Sequence, residues 1–412
     1  MLPVLFLGES MNIFENLYDK QLWYEYLNYK VESKNISKSQ ADLLEQYIQT
    51  EKFVQVIEKI NNGCFGIPQI KRINKKNNEK KRLVFTFEQD ENYLLKMIAY
   101  MLDKYDFLFS ENLYSFRRHI GVKTAIYNIL NTANIEKLYS YKVDIHDYFN
   151  SVDISIASQL ISKAITDDLH LKDFLISLIN NPFVRENDKI IECKKGIMAG
   201  VPISGFLANL YLCKLDKYFF EKGVLYARYS DDIIVFADNE KDILLYESVI
   251  KEFLKKQKLE INPKKEIRTV PGEGWEFLGF FYKNGKIDIS EIAVSKLKGK
   301  MKRKADALVR WKNKTNRTSE CAVKAFIRHF NKKLYCNTIY NDITWSRWYF
   351  PIITTSESLK KIDQYYLMCI RYIATGKHTK ANYNLRYATI KSYGYKSLVN
   401  SYYKFKNQHN DI

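Results

Sequence analysis

Residues 229–232 read Tyr-Ser-Asp-Asp, and the apolar run Ile-Ile-Val-Phe follows directly at 233–236. Two adjacent carboxylates between apolar strands repel each other, which is costly unless cations neutralise them. A third acid, Asp144, lies near the end of another strand-like stretch, residues 138–145. Three carboxylates that converge from adjacent strands could hold two Mg²⁺ ions, which sit roughly 3.5–4 Å apart in sites of phosphoryl transfer. The alternative is a solvated Asp-Asp turn in a hairpin, which would be the better interpretation if the two adjacent acids stood alone in the sequence.

The flanking sequence predicts a mixture of strands and helices. Strand-like stretches occur at residues 67–73 and 82–87, around a polar turn, and again near residues 225–237. Helical spacing of apolar residues occurs at 11–62, 91–102, 120–133, 154–181, 204–220 and 241–257. Strands and helices do not alternate strictly, so the pattern favours an α+β fold over a doubly wound sheet.

Charge is distributed unevenly along the 412 residues. Lys+Arg number 65 and Asp+Glu 47, a net charge of +18, and residues 291–412 alone carry 25 basic and 7 acidic side chains. An excess of this kind implies a polyanionic partner, and nucleic acid is the first candidate. We expect a basic helix from residue 291. Its apolar face is assigned to Ile292, Leu297, Met301, Ala305, Leu308 and Trp311.

Several classes of protein are disfavoured. No apolar run approaches the roughly 18 residues that span a bilayer, and residues 2–7 are too short for a signal-peptide core. The six cysteines include no C-x-x-C pair, which argues against a zinc site and a disulfide framework. We therefore expect a reduced, cytoplasmic chain without membrane contact.

A series of segments, in order over about residues 66–290, resembles the motifs of reverse transcriptases. Residues 229–232 resemble the Y-x-D-D box, 144–153 the D-I-x-x-F-F-x-S-I-D segment, 200–210 the Q-G-x-x-x-S-P-x-L-x-N segment, 261–265 the L-x-x-x-K element, 277–280 the F-L-G element, 80–82 the K-x-R element and 114–117 the Y-G-F-R element. The resemblance implies a right-hand polymerase. It would have an N-terminal helical extension at 1–65, fingers and palm at 66–290, and a basic helical thumb and C-terminal RNA/duplex-binding region at 291–412.

The resemblance also implies site residues. Asp144, Asp231 and Asp232 would be the catalytic metal ligands for two Mg²⁺ ions, with the Ile145 carbonyl as a further ligand. The implied dNTP-binding residues are Lys76 (or Lys75), Arg82, Asp147, Phe149, Ala199, Gly200 and Lys265. The primer and template residues would be Tyr229, Leu278, Gly279, Lys298, Lys302, Arg303 and Lys304. The implied roles of Arg82 and Lys265 are chemically reasonable, because a guanidinium fork suits phosphate oxygens and a lysine can protonate a departing pyrophosphate.

Three positions refine this expectation. Phe149 occupies the place of an aromatic residue that excludes a ribose 2′-hydroxyl in the family, which implies dNTPs rather than rNTPs. Ala199 stands where the family has Gln, and Gly205 stands where it has Pro. The missing Gln argues against a typical group II intron or retron enzyme and leaves template dependence open.

The C-terminal region points to a more particular group. Residues 345–348, 394–399 and 402–404 interleave aromatic and basic side chains, which suits stacking on single-stranded RNA. They resemble the C-terminal region of bacterial unknown-group and abortive-infection reverse transcriptases. The implied function is DNA synthesis on a structured non-coding RNA in antiphage defence. A protein-primed or template-independent DNA polymerase and a non-catalytic RNA-binding protein are the alternatives, and the oligomeric state stays open.

Overall fold

The computed structural model describes residues 12–33, 36–74, 81–335, 344–377 and 379–409. The side chains of residues 74, 81, 82, 380, 381 and 409 are outside this description. The chain divides into two compact units, Met1–Arg268 and Thr269–Ile412. Helices and strands occur in both units, so the predicted α+β class is confirmed.

Helices account for much of the first unit. They are α1 (Ile13–Asn16), α2 (Lys20–Glu32), α3 (Lys38–Gln49), α4 (Lys52–Asn61), α5 (Gln89–Met101), α6 (Val122–Leu130), α7 (Tyr148–Ser151), α8 (Ile154–Ala164), α9 (Leu169–Asn180), α10 (Ser204–Glu221) and α11 (Glu240–Lys256). Short 3₁₀ turns lie at Leu102–Leu108, Ile135–Lys137 and Pro263–Lys265. The predicted helix at 154–181 is two helices, because Asp168 begins α9 by accepting a hydrogen bond from the Leu171 N–H at 2.9 Å.

The strands of the first unit form two sheets in the described residues. They are β1 (Gln69–Asn74), β2 (Lys81–Thr86), β3 (Tyr139–Asp144), β4 (Phe183–Glu186), β5 (Lys189–Glu192), β6 (Tyr226–Tyr229), β7 (Asp232–Ala237) and β8 (Ile267–Thr269). One sheet has the order β2-β1-β4-β5 and the other the order β6-β7-β3-β8. The second sheet places β7 between β6 and β3, both antiparallel to it.

Helices α10 and α11 pack against the β6-β7-β3-β8 sheet. Most of α10 is buried, including Leu207, Leu212 and Phe219, and its core is continuous with Val143 of β3 and Val235 of β7. Buried strands of this kind carry apolar residues on both faces, which explains the uninterrupted run at 233–236. The rigid sheet therefore fixes the positions of residues at the ends of β3, β6 and β7.

The second unit begins with a small sheet of order β11-β10-β9. The strands of this sheet are β9 (Trp275–Phe277), β10 (Phe280–Lys283) and β11 (Lys286–Ile289). The helices of the second unit are α12 (Glu291–Thr315), α13 (Ser319–Tyr335), α14 (Trp345–Tyr349), α15 (Glu357–Thr375), α16 (Tyr387–Ser392) and α17 (Leu398–His409), with a 3₁₀ turn at Lys380–Asn384. Helix α12 packs against α13 and α15. No helix in the described ranges combines the length and the apolar character needed to cross a membrane.

The apolar face assigned to α12 from sequence is wrong at two positions. Ile292 is 52% exposed and Trp311 is 38% exposed. Val294 and Val309 are buried instead, together with the predicted Leu297, Met301, Ala305 and Leu308. The buried stripe is set by the positions of α13 and α15, which hydrophobic periodicity alone does not reveal.

Candidate active site

The three carboxylates singled out in the sequence converge at one end of the β6-β7-β3-β8 sheet. Asp144 ends β3 and faces Asp232, the first residue of β7, in the antiparallel register. Asp231 lies in the turn just before β7, and Tyr229, which ends β6, pairs with Asp232 from the other side. One carboxylate oxygen from each acid lies within 4.8 Å of the others. Such a cluster of oxygen donors fits divalent cations like Mg²⁺.

The electrostatics of the cluster favour a bound cation. Burial, with the neighbouring charges of Asp231 and Asp144, raises the pKa of Asp232 to about 6. Asp144 is buried and accepts hydrogen bonds from Lys265 Nζ and, at 3.4 Å, from Asn262 Nδ2. Burial lowers the pKa of Lys265. The hydrogen bond to Asp144 and the charges of the nearby acids raise that pKa by more than burial lowers it, so the net pKa is above its usual value. The lysine therefore stays cationic beside the acids.

The Asp-Asp turn is held by a buried hydroxyl that sequence reasoning missed. Ser230 has a left-handed backbone, with φ of +60°, and its N–H donates to Ser115 Oγ at 2.8 Å. That hydroxyl in turn donates to Asn209 Oδ1 at 3.1 Å, and Asn209 Nδ2 donates to the Ser115 carbonyl at 2.7 Å. The Asp231 carbonyl accepts from the Ile145 N–H at 3.0 Å. Both sides of the turn are thereby fixed to neighbouring segments.

A fully buried ion pair lies under the same turn. Arg228 and Asp216 are both 0% exposed, with Nε 2.8 Å from Oδ1 and Nη2 2.6 Å from Oδ2. Arg228 also donates to the Ser230 carbonyl at 3.3 Å and to the Asn209 carbonyl at 3.2 Å. Burial opposes the charge, but Asp216 holds the pKa of Arg228 above its usual range. The pair therefore connects α10 to the backbone of the catalytic turn.

Phe149 lies just past Asp144, at the beginning of α7. Its ring is half-buried and meets the Phe116 ring edge-on, with centroids 6.0 Å apart. A Cβ at Gly205 would lie 2.7 Å from the Phe116 ring. The replacement of the family's Pro by Gly205 thus makes room for Phe116, which braces Phe149.

The segment around Gly200 is tied to β2. Ala199 is buried, and its carbonyl accepts from the Phe85 N–H at 2.8 Å. Gly200 has a φ of +100°, and a Cβ there would lie 2.5 Å from Val84 Cγ1, so only glycine fits this close approach. Asp147 is exposed and left-handed, with φ of +46°.

Two predicted contacts with the triphosphate fall outside the described part of the chain. Lys76, like its alternative Lys75, lies in the gap at 75–80. The backbone of Arg82 belongs to β2, but its side chain is not among those described.

The remaining predicted residues belong to the second unit. Leu278 and Gly279 form a two-residue turn between β9 and β10, with φ of +51° and +88°. A left-handed leucine is a strained conformation of the kind that collects at functional sites.

The four predicted cations lie on α12. Lys302 and Arg303 are exposed, whereas Lys298 and Lys304 are half-buried. Lys298 Nζ lies 5.6 Å from the centre of the Tyr365 ring on α15. Lys302 and Arg303 are therefore the most open of the four to a phosphate backbone.

Comparison with known families decides the identity of this site. The model of the family described as "Reverse transcriptase (RNA-dependent DNA polymerase)" matches residues 73–282, about half of the chain. The chain belongs to the reverse transcriptase family. The matched segment contains all three clustered acids of this reverse transcriptase, Phe149 and Lys265. Family membership confirms the resemblance to reverse transcriptases that the motifs indicated.

Individual relatives of this reverse transcriptase are distant. The "Putative COX1/OXI3 intron 2 protein" of Saccharomyces cerevisiae is 21% identical over 378 residues, which cover 77% of this chain and 43% of that protein. The chain thus spans less than half the length of this curated relative.

Two telomerase structures are similar to this reverse transcriptase. Apo telomerase from Candida tropicalis, truncated from its C-terminal domain, has a TM-score of 0.42 at 16% identity, covering 54% of this chain and 55% of that one. Telomerase from Candida albicans in complex with a TWJ fragment of telomeric RNA has a TM-score of 0.40 at 11% identity, covering 89% and 71%. The family assignment rests on the matched segment 73–282 and not on these likenesses.

Proposed function

We propose that this chain is an RNA-directed DNA polymerase that extends a primer with dNTPs and uses two Mg²⁺ ions. The observation that carries the proposal is the convergence of Asp144, Asp231 and Asp232, with carboxylate oxygens within 4.8 Å of one another. Clustered carboxylates suit a hard cation such as Mg²⁺. When bound, the ions would stabilise the charge on the attacking and leaving oxygens of phosphoryl transfer.

The side chains around the acids have separate tasks. The primer 3′-hydroxyl attacks the α-phosphorus in line and loses its proton to solvent, while the bond from the α-phosphorus to pyrophosphate breaks. Lys265, which is held beside Asp144, offers a proton or a positive charge to the departing pyrophosphate. Arg82 would pair with the triphosphate, as the family resemblance implies. Preorganised charges of this kind supply most of the rate enhancement in such reactions.

Choice of sugar is assigned to Phe149. The Phe149 ring packs edge-to-face against Phe116, with centroids 6.0 Å apart, and against Tyr148, with centroids 5.7 Å apart. A bulky ring at this position would leave no space for a ribose 2′-hydroxyl, as the family resemblance implies, which favours dNTPs. Gly205 supports the arrangement because it leaves space for Phe116.

The biological setting is the finer part of the proposal. We assign fingers and palm to 66–290, an N-terminal extension to 1–65, and a thumb with an RNA/duplex-binding region to 291–412. A cytoplasmic enzyme that copies a structured non-coding RNA in antiphage defence agrees with the aromatic and basic segments at 345–348, 394–399 and 402–404.

The test is DNA synthesis by the purified protein with the RNA that co-purifies with it. Sequencing both nucleic acids should give DNA complementary to one RNA species, dependent on dNTPs and abolished by ribonuclease pretreatment. DNA attached covalently to the protein would indicate protein priming. A product of one-base composition without RNA would contradict templated synthesis, and no product with any template would favour a non-catalytic RNA-binding protein.

A further inference from the structure

A cavity of about 820 Å³ opens near the end of the second unit, among α13, α14, α16 and α17. Four cationic side chains line it, and none of the lining residues is acidic. The four are Arg347, Lys391, Lys396 and Lys404, and each is exposed. A cavity of this size has room for a nucleotide or two, since ligand sites typically measure about 300–1,000 Å³.

Among the residues that the structure describes, no Asp or Glu forms an ion pair with any of the four cations of the cavity. Asp363 lies close by, but it is buried and accepts from Ser397 Oγ at 2.6 Å, from the Leu398 N–H at 2.9 Å and from the Val399 N–H at 3.1 Å. Its carboxylate caps α17, and its single negative charge is outnumbered by the four lining cations, so the excess positive charge attracts phosphates.

Aromatic rings form a second part of the lining, beside serine, asparagine and glutamine side chains. Phe350 and Tyr395 are buried, whereas Tyr387 is 45% exposed and Tyr403 is 51% exposed. The Tyr387 and Tyr395 rings form a T-shaped pair with centroids 6.1 Å apart, and the Tyr403 hydroxyl lies 3.1 Å from the Ser356 hydroxyl. Because both rings are about half exposed, Tyr387 and Tyr403 offer ring surface on which bases can stack.

We propose that this cavity binds a single-stranded nucleic acid. Bases would stack on Tyr387 and Tyr403, and the four cations would pair with phosphates. The combination of exposed rings and cations favours a single strand over a duplex, because the faces of bases that are paired and stacked in a duplex are not available to the rings. An acidic peptide would use the cations but not the rings. The proposal rests on the proposed function only in that nucleic acid is the ligand.

Binding should be measured by fluorescence anisotropy with the full chain and no nucleotides, using labelled dT12 and rU12. Each phosphate contact to a single strand contributes about 0.7 to the slope of log affinity against log salt. Three neutral substitutions, Arg347→Gln, Lys391→Gln and Lys404→Gln, should therefore make the slope shallower by about 2. The matched control is Lys241→Gln, Lys255→Gln and Lys256→Gln on α11, which removes the same charge from exposed sites of the first unit.

Stacking is tested separately. Tyr387→Ala and Tyr403→Ala should each weaken binding by about 5- to 150-fold, whereas the phenylalanine variants, which keep the ring, should bind like the wild type. Circular dichroism spectra and melting temperatures of all variants should match the wild type, so that folding is excluded as a cause.

The outcomes separate the possible ligands. Tighter binding of dT12 than of rU12 would assign the cavity to the DNA product, and tighter binding of rU12 would assign it to the RNA template. Equal affinity for the two would mean that the cavity accepts either kind of single strand. A slope equal to that of the α11 control, binding of duplex alone, or displacement by free dTTP as efficiently as by dT12 would overturn the proposal. Because no synthesis is involved, an inactive enzyme with the expected binding would contradict the proposed function alone.

Discussion

Asp216→Asn should destabilise the protein by about 3–5 kcal/mol, because the Arg228 guanidinium would stay buried without a compensating charge. Both side chains are 0% exposed, and two contacts of 2.8 and 2.6 Å join them. The Tyr226 hydroxyl also donates to Asp216 at 2.9 Å and would keep only a neutral acceptor. The loss is a large share of the roughly 5–15 kcal/mol that stabilises a typical protein.

A double-mutant cycle tests the origin of this loss. The single variants of the cycle are Arg228→Met and Asp216→Leu. Each should be about as costly as Asp216→Asn, because each leaves one buried charge unpaired. Arg228→Met combined with Asp216→Leu replaces both charges by apolar groups, which is often close to neutral. The free energy of unfolding of the double variant should therefore be several kcal/mol higher than the sum of the two single losses predicts. The measurement is urea unfolding, with the same dependence of the free energy of unfolding on urea concentration used for all variants.

Activity distinguishes stability from positioning in the same variants. Arg228 donates to the Ser230 carbonyl, so the double variant should remain folded but extend primers more slowly than the wild type. Additive free energies of unfolding would show that the two charges are not coupled. Full activity of the double variant would show that Arg228 is not needed to hold the Asp-Asp turn.

Three further changes test other parts of the site. Phe149→Ala should reduce the preference for dNTPs over rNTPs, measured as the ratio of kcat/KM values, by about 10- to 200-fold, and an unchanged ratio would remove this ring from sugar selection. Gly205→Ala should lower the free energy of unfolding by about 1–3 kcal/mol, because the new Cβ would meet an aromatic ring at 2.7 Å. Gly121→Ala, where nothing lies within 4 Å, is the control, and equal effects would contradict the packing argument. Lys302→Gln with Arg303→Gln should weaken binding of an RNA–DNA duplex and flatten its salt dependence by about 2 in slope, and a wild-type slope would place the duplex elsewhere.

Much of the fold could be predicted because its elements carry local signals. The run at 233–236 and the acids that flank it indicate a buried strand that ends at a turn, and the structure has β7 there. The hairpin of β4 and β5 was missed, because three of the four residues of β4 are at least partly exposed and β5 is exposed throughout, so neither strand shows an apolar alternation. Its turn residues, Asn187 and Asp188, both have positive φ and were the available signal.

The candidate site also has a part that local sequence signals predict and a part that they do not. The convergence of the acids follows from motifs that place each one at the end of a strand. The supporting residues Ser115, Arg228 and Asp216 were missed as a group, because their partners are 12 to 115 residues away in the chain. An arginine inside a strand and an aspartate inside an apolar helix are signals of a buried pair, but only the fold shows that each is the other's partner.

The central claim is that the clustered acids hold the metal ions for nucleotide transfer. The most direct measurement is the single-turnover rate of primer extension on an RNA template in Mg²⁺, compared between wild type and Asp231→Asn. Asp173→Asn, at an exposed acid of the first unit, is the control. We predict a fall of at least about a hundredfold for Asp231→Asn, with unchanged primer–template affinity, and no change for the control. Extension by Asp231→Asn at the wild-type rate would contradict the assignment of this site.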